Sequence, residues 1–479
     1  MLDLYVIEGL PTVSEYTHIL RMSGAEALDG LYAFRLDLAV EHEQPLSHEV
    51  IDQAMSERLI FGFFEPQIEE PEYWITFPRS ITYLGSDGDG RYHYRFEVLA
   101  SDWRSDLFRR SRIFQDQDVL KIADVIFKEQ GRKNEIKTTR TYPVREYTVQ
   151  YEETDTLFLR RLLEHEGIFH WFDGMKNKRV LADDNSAFTH AAGHEFVKWA
   201  PRLESKPALT DLTWERRVVP SMAVVRDYDW RAPGSLVQAD RAVEAHGFGL
   251  HVYFGDHVKA ADAPRLASVR AEELGFPHQV LRATSNIRGL RPGNKLTLEA
   301  PAKLGPELDG IELVVAEVRH EIDQGDDDKA DAAKPYRNEL VLFPFSVPYR
   351  PARVTPKPRI DGLVYAIVDG EMRSTAAPVD DQGRYRVFFP FDTNAKAGGR
   401  ASRWVRMAQP YAGAGYGMHM PLHIGTQVIV AHINGDPDRP VIVGAIPNAD
   451  TTSPVHSANA TQSAIRSHGG ILFELEDDA

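Results

Sequence analysis

Apolar and polar positions alternate over much of the first hundred residues. In Tyr32-Ala33-Phe34-Arg35-Leu36-Asp37-Leu38 every second side chain is large and apolar, the period of a strand with one face inward. Ile81-Thr82-Tyr83-Leu84 and Tyr92-His93-Tyr94-Arg95-Phe96-Glu97-Val98 flank Ser86-Asp87-Gly88-Asp89-Gly90, which predicts a hairpin. The Asp-Gly pairs do not make an EF-hand, which needs a longer series of oxygen ligands closed by a Glu.

The period then changes to that of helices. Val119, Ala123, Ile126 and Phe127 share one helical face, with Asp118 placed to cap the start and Gly131 to stop the end. A second helix is predicted from about Thr154 to Glu166, where Leu157, Leu159, Leu162 and Leu163 interleave with Arg160, Arg161 and Glu164 before Gly167. A third is predicted near 264–274, with Asp262 upstream as cap, Pro264 in the first turn and Gly275 past the end.

Strand-like segments return over 210–345, among them Lys295-Leu296-Thr297-Leu298 and Leu313-Val314-Val315-Ala316-Glu317-Val318; Asp326-Asp327-Asp328-Lys329 reads as a solvated loop tip. Pro344, Pro348, Pro351, Pro356 and Pro358 then mark a stiff, extended connector. Beyond it, five short apolar runs separated by Gly, Pro and Asp predict a small barrel over 359–448. They begin at Ile360, Gly383, Trp404, Gln427 and Pro440. In the polar tail, one parity from Ser463 carries Ile465, Gly469, Ile471 and Phe473, a strand with one apolar face. A lone strand cannot bury such a face, and copies of the same chain are the economical cover.

Composition narrows the function. A chain of 479 residues suggests roughly two to four domains. There is no cysteine, which excludes disulfides and Cys-ligated zinc. A formal net charge of −16 argues against a sequence-independent grip on nucleic acid and against charge-driven binding to anionic membranes. The start, Met1-Leu2-Asp3-Leu4-Tyr5, lacks the basic-then-apolar pattern of a signal peptide.

Several long motifs stand in order along the chain. They are Ser111-Arg112-Ile113-Phe114-Gln115, Arg145-Glu146-Tyr147-Thr148-Val149-Gln150-Tyr151-Glu152-Glu153-Thr154-Asp155 and its continuation Phe158-Leu159-Arg160-Arg161-Leu162-Leu163-Glu164-His165-Glu166-Gly167-Ile168-Phe169. In the barrel they are Asp381-Gln382-Gly383-Arg384-Tyr385-Arg386-Val387, Trp404-Val405-Arg406-Met407-Ala408-Gln409-Pro410-Tyr411-Ala412-Gly413-Ala414-Gly415-Tyr416-Gly417 and Gly435-Asp436-Pro437-Asp438-Arg439-Pro440-Val441-Ile442-Val443-Gly444. Together these motifs resemble the VgrG family of type VI secretion spike proteins, with Thr148 and Thr154 standing where that family commonly has Cys and Ser.

The resemblance implies a mainly β (α+β) fold: a phage-tail-hub-like region at 1–345, with a first barrel at about 1–105, a helical insert at about 106–175 and a second barrel at about 210–345. It also implies a Pro-rich linker at 346–358, a spike OB-fold at 359–448 and the start of a trimeric β-helix needle at 449–479. It further implies a homotrimer that caps a hexameric Hcp tube, meets baseplate proteins, carries a PAAR tip protein or effector, and binds no cofactor. Such a protein is assembled in the bacterial cytoplasm and leaves by the type VI route without a signal peptide. The short tail leaves two readings open, a chain cut before the needle or a partner that supplies the rest. A phage tail hub or spike is the nearest alternative.

Enzyme readings fare worse. His165-Glu166-Gly167-Ile168-Phe169-His170 has one residue too many for HExxH, because ligands on a helix must stand at i and i+4. A glycosidase needs two carboxylates at a fixed separation, and among 71 acidic residues a pair such as Asp155 and Glu164 is arbitrary; a solvated helix face explains them better. Gly413-Ala414-Gly415-Tyr416-Gly417 is not followed by a helix, so it is no dinucleotide fingerprint. His246, His251 and His257 are scattered in strand-like sequence. No catalytic, cofactor or metal residue is therefore assigned. A secreted hydrolase with a strand-rich binding module is the remaining alternative from another class.

Structural roles are assigned instead. Tyr147, Tyr151, Phe158, Leu162 and Ile168 are expected to pack the signature helix into the hub. Gly383, Arg384, Trp404, Asp436, Pro437 and Arg439 are expected to set barrel turns and packing. Ile465, Ile471 and Phe473 are expected to face a trimer axis.

Overall fold

A computed structural model describes residues 3–8, 17–64, 72–88, 90–202, 206–244, 246–256, 258–305, 307–325, 334–371 and 376–477. Asp89, His257 and the acidic run Asp326-Asp327-Asp328-Lys329 lie outside the described residues. The chain divides into two compact units: 1–108, 119–143 and 155–356 form one, and 109–118, 144–154 and 357–479 form the other.

The first unit is built on a 13-stranded sheet. Thr17–Ala27 pairs with Ala33–Glu41 on one side and with Glu312–Asp323 on the other, so strands from opposite ends of the unit lie side by side. Ala33–Glu41 keeps the predicted period of two, burying Phe34, Leu36, Leu38 and Val40. The predicted hairpin is present as Glu72–Ser86 against Arg91–Leu99.

Two apolar cores sit on this sheet. One gathers Leu36, Phe61, Trp74, Phe96 and Ile322; the other gathers Leu209, Leu281, Leu296, Leu313 and Leu342. Strands Glu312–Asp323 and Lys334–Pro344 serve both, because each is long enough to cross from one core to the other.

Four α-helices occur among the described residues. Helix α1, His48–Ser56, fully buries only Ala54; its stripe of Val50, Ile51, Ala54 and Met55, capped by Ser47, is one that the sequence reading did not single out. Helix α2, Val119–Glu129, buries the expected face together with Ile122, and Gly131 ends it at φ 63°. Helix α3 is Asp155–Glu166, ended by Gly167 at φ 72°.

Helix α4, Ala263–Gly275, differs from expectation at both ends. Asp262 adopts helical φ/ψ and makes no capping bond; its carboxylate accepts from Arg265 Nε at 2.7 Å instead. Gly275 lies inside the helix, at φ −76°, rather than past its end. Helix α4 covers one face of a three-stranded sheet made of Leu236–Ala242, Met222–Tyr228 and Leu250–Phe254.

The second unit holds the small barrel. Its five strands run in the order Arg386–Phe388, Val364–Asp369, Gln427–His432, Pro440–Ala445, Arg406–Met407. A bridge between Tyr385 and Val405 joins the two ends of that order and closes the ring. The first strand begins at Val364 rather than Ile360, because the inward alternation is carried by Ala366 and Val368.

The expected run of domains also differs at one point. Arg109–Gln117 and Arg145–Thr154, inside the segment expected to be a helical insert, form an antiparallel ribbon that belongs to the barrel unit.

Candidate functional site

The family-like motifs converge on the barrel. Tyr147 and Val149, from the ribbon, lie in the barrel core with Val387, Phe389, Val405 and Val430, and Tyr151 meets Phe391 edge-on at 5.3 Å. Tyr147 and Tyr151 thus pack the barrel, not the hub. The expectation failed because the motif changes units between Thr154 and Asp155. Phe158, Leu162 and Ile168, on and just after α3, are buried in the hub unit.

Asp438 is the joint between ribbon and barrel. Its buried carboxylate accepts from the Val149 N–H at 2.7 Å and from Lys357 Nζ at 2.6 Å. The turn before it uses Asn434 at φ 56° and Gly435 at φ 71°, and the Asp438 N–H donates to Asp436 Oδ1 at 2.9 Å. Burial pushes the Asp436 carboxyl up, although Lys357 opposes this from 2.5 Å. Arg439 stands 3.8 Å from Asp436, and Pro437 is buried between the two aspartates. A second joint is the Asp392 carboxylate, which accepts from the Ile113 N–H at 3.3 Å.

The remaining barrel candidates sit at turns and on the wall. Gly383 takes φ 72° in a turn where its N–H donates to the Asp380 carbonyl. Arg384 Nε donates to Asp380 at 2.8 Å, and the Arg386 guanidinium lies 4.7 Å over the Trp404 ring. The Asp369 carboxylate accepts from the N–H groups of Gly398, Gly399, Arg400 and Ala401, holding a loop that the sequence did not single out.

In the hub unit, Asp155 and Glu164 are buried, not solvated. Glu164 accepts from the N–H groups of Val354 and Thr355 at 3.1 and 2.9 Å and from the Thr355 hydroxyl at 2.8 Å, which ties the proline-rich strap to α3. Gln130 Nε2 donates to Asp155 at 2.6 Å. Glu166 takes Arg265 at 2.6 Å and His165 at 3.1 Å, whereas His170 pairs with Asp29 at 3.3 Å. The two histidines of the HExxH-like run therefore serve different carboxylates. Among the described residues no group of three or more His, Cys, Asp or Glu side chains is placed to hold a metal.

The tail differs from the single strand expected. Gln462–Arg466 turns at Gly469-Gly470 and pairs antiparallel with Leu472–Glu476. Ile465 stands directly opposite Phe473, so these two share a face with Leu475; Ile471 falls in the turn. Ile471 and Phe473 are 78% and 59% exposed in the single chain.

Residues 25–326 match the family described as phage tail baseplate hub (GPD), and residues 375–446 match the type VI secretion system/phage-baseplate injector OB domain. The chain is 30% identical over 461 residues to the type VI secretion system spike protein VgrG1a of Pseudomonas aeruginosa, covering 93% of this chain and 70% of that one. It is 29% identical to VgrG1c of the same organism, covering 95% and 63%. It is also 29% identical to the actin cross-linking toxin VgrG1 of Vibrio cholerae, but spans only 35% of that protein.

Among solved structures, the E. coli c3393 protein, a type VI component similar to T4 bacteriophage gp27 and gp5, superposes with a TM-score of 0.66 at 20% identity. It covers 93% of this chain and all of that one. The Francisella PdpA–VgrG complex superposes at 0.62 with 10% identity, covering all of this chain and 83% of that one. Both share the fold. A hub sheet, a closed five-stranded barrel and sequence matches across both units lead to one conclusion: this chain belongs to the VgrG family of type VI secretion spike proteins.

Proposed function

We propose that the chain is the body of a homotrimeric spike in a type VI, contractile injection machine, with a structural role and no chemistry of its own. The observation that carries this reading is how the chain is threaded. It passes between the two units at 108/109, 118/119, 143/144, 154/155 and 356/357, five covalent crossings instead of one linker. A body driven through an envelope is loaded along its axis. Five crossings, with Asp438 and Asp392 clamping the ribbon to the barrel, share that load.

In this reading three hub units form a ring of six related half-hubs that stacks on a hexameric Hcp tube at the baseplate. Assembly takes place in the bacterial cytoplasm, and export follows the type VI route. The exposed apolar face of the tail hairpin meets its copies on the axis, and a needle beyond it receives a PAAR protein or effector. The sequence matches across both units support the assignment.

The test is export from a producing strain. The chain should reach the medium only when sheath and tube are both present, and it should co-sediment with the tube. Export that persists without a sheath would remove the proposal.

A further inference from the structure

The three-stranded sheet beside α4 is covered on one side only. Leu266, Ala267 and Ala271 of α4 pack on Ala223, Val225 and Val237. The other side carries Phe248, Leu250, Val252 and Phe254 along the edge strand, with Met222 and Tyr228 on its neighbour. The bridge Val219–Gly247 keeps the register of the pair Met222–Leu250, which places Phe248 on this same side. Leu236, directly opposite Tyr228, extends the patch to the far strand.

Phe248 is 87% exposed, and Leu250, Phe254 and Leu236 are between 63% and 65% exposed. With a full aromatic residue offering about 200 Å² and an aliphatic one less, the patch amounts to roughly 800 Å². That exceeds the largest apolar patch of a typical monomer, roughly 300–600 Å². It equals one side of a standard stable interface, about 800 Å². Among the described residues Leu250–Phe254 also pairs on one side only, as an edge strand.

We propose that a second copy of this chain covers this face in the assembled oligomer. The inference rests on the trimeric reading above and adds where copies meet. Obligate interfaces between identical chains are the apolar ones, built like a core cut in half. Polar residues in the patch are few: Arg226 and Asp240 carry opposite charges, and Gln238 carries none. The face therefore adds no net charge to the repulsion between copies that each carry −16.

The absence of cysteine gives a clean probe. In the full-length Phe248→Cys variant the single thiol replaces a side chain that touches little of its own subunit. Maleimide labelling of the native oligomer should be slower than that of the urea-denatured chain by at least about tenfold. Light scattering on the same sample reads the number of copies. A trimer that labels within about twofold of the denatured chain would overturn the proposal and leave the spike reading standing. A single copy in solution would overturn both. As a second measurement, Leu250→Asp with Phe254→Asp should weaken subunit association at least about tenfold while the circular dichroism stays unchanged. Unchanged association in a folded variant would equally overturn the proposal.

Discussion

Replacing Asp438 by Ala removes the acceptor that fixes the ribbon to the barrel. Val149 is fully buried, and its N–H would lose a charge-assisted bond of 2.7 Å. A hydrogen bond to a charged group is worth roughly 1.5–3 kcal/mol. The Lys357 contact adds little, because that side chain is 37% exposed and keeps Asp436 as a second partner. The barrel unit should therefore lose about 1.5–3 kcal/mol. Asp438→Asn keeps an oxygen for Val149 and should lose no more than about 1–2 kcal/mol. Urea unfolding followed by hydrogen exchange at residues 145–150 reads the loss where it occurs, which matters because two units need not unfold together. An Ala variant within about 0.5 kcal/mol of the parent, with amides 145–150 still protected, would refute the joint.

Three further outcomes follow from single positions. Gly167→Ala places a Cβ 2.5 Å from Val269 Cγ1 at a backbone φ of 72°, so the hub transition should fall by about 1–3 kcal/mol in urea unfolding; an unchanged midpoint contradicts this. His432 is buried, which pushes its imidazole down to about 4. The unfolded chain, titrating near about 6.5, then binds the extra proton between those values, and stability present above about pH 6.5 is lost as pH falls through 4, by up to about 3 kcal/mol. Asp392 and Asp436, pushed up by burial, act in the opposite sense, so the comparison is His432→Gln, whose barrel should titrate less steeply over that window; equal slopes contradict it. Charges in the tail, Ile465→Asp with Phe473→Asp, should lower the mass or melting temperature of the oligomer, and no change in either would show that this face does not meet its copies.

Much of the architecture was legible where one face of an element is buried and the other wet. Phe34, Leu36 and Leu38 announced their strand, and four of the five apolar runs announced barrel strands, the run from Ile360 touching its strand only at Val364. The ribbon was not legible as part of the barrel. Tyr147, Thr148, Val149 and Gln150 are all buried, so no alternation marks a face, and their partners Asp438 and Val430 lie more than 250 residues away in sequence. Glu164 was misread for a related reason. On a helix of mixed charge a carboxylate looks solvated until a strap from residues 354–355 is laid over it. The tail hairpin had its signal in Gly469-Gly470, but counting one parity straight through that turn concealed it.

The measurement that tests the central claim most directly is the absolute mass of the purified chain by native mass spectrometry. The account predicts a stable species at three times 54.1 kDa. A species of 54.1 kDa alone, at every concentration at which the chain is folded, would contradict it.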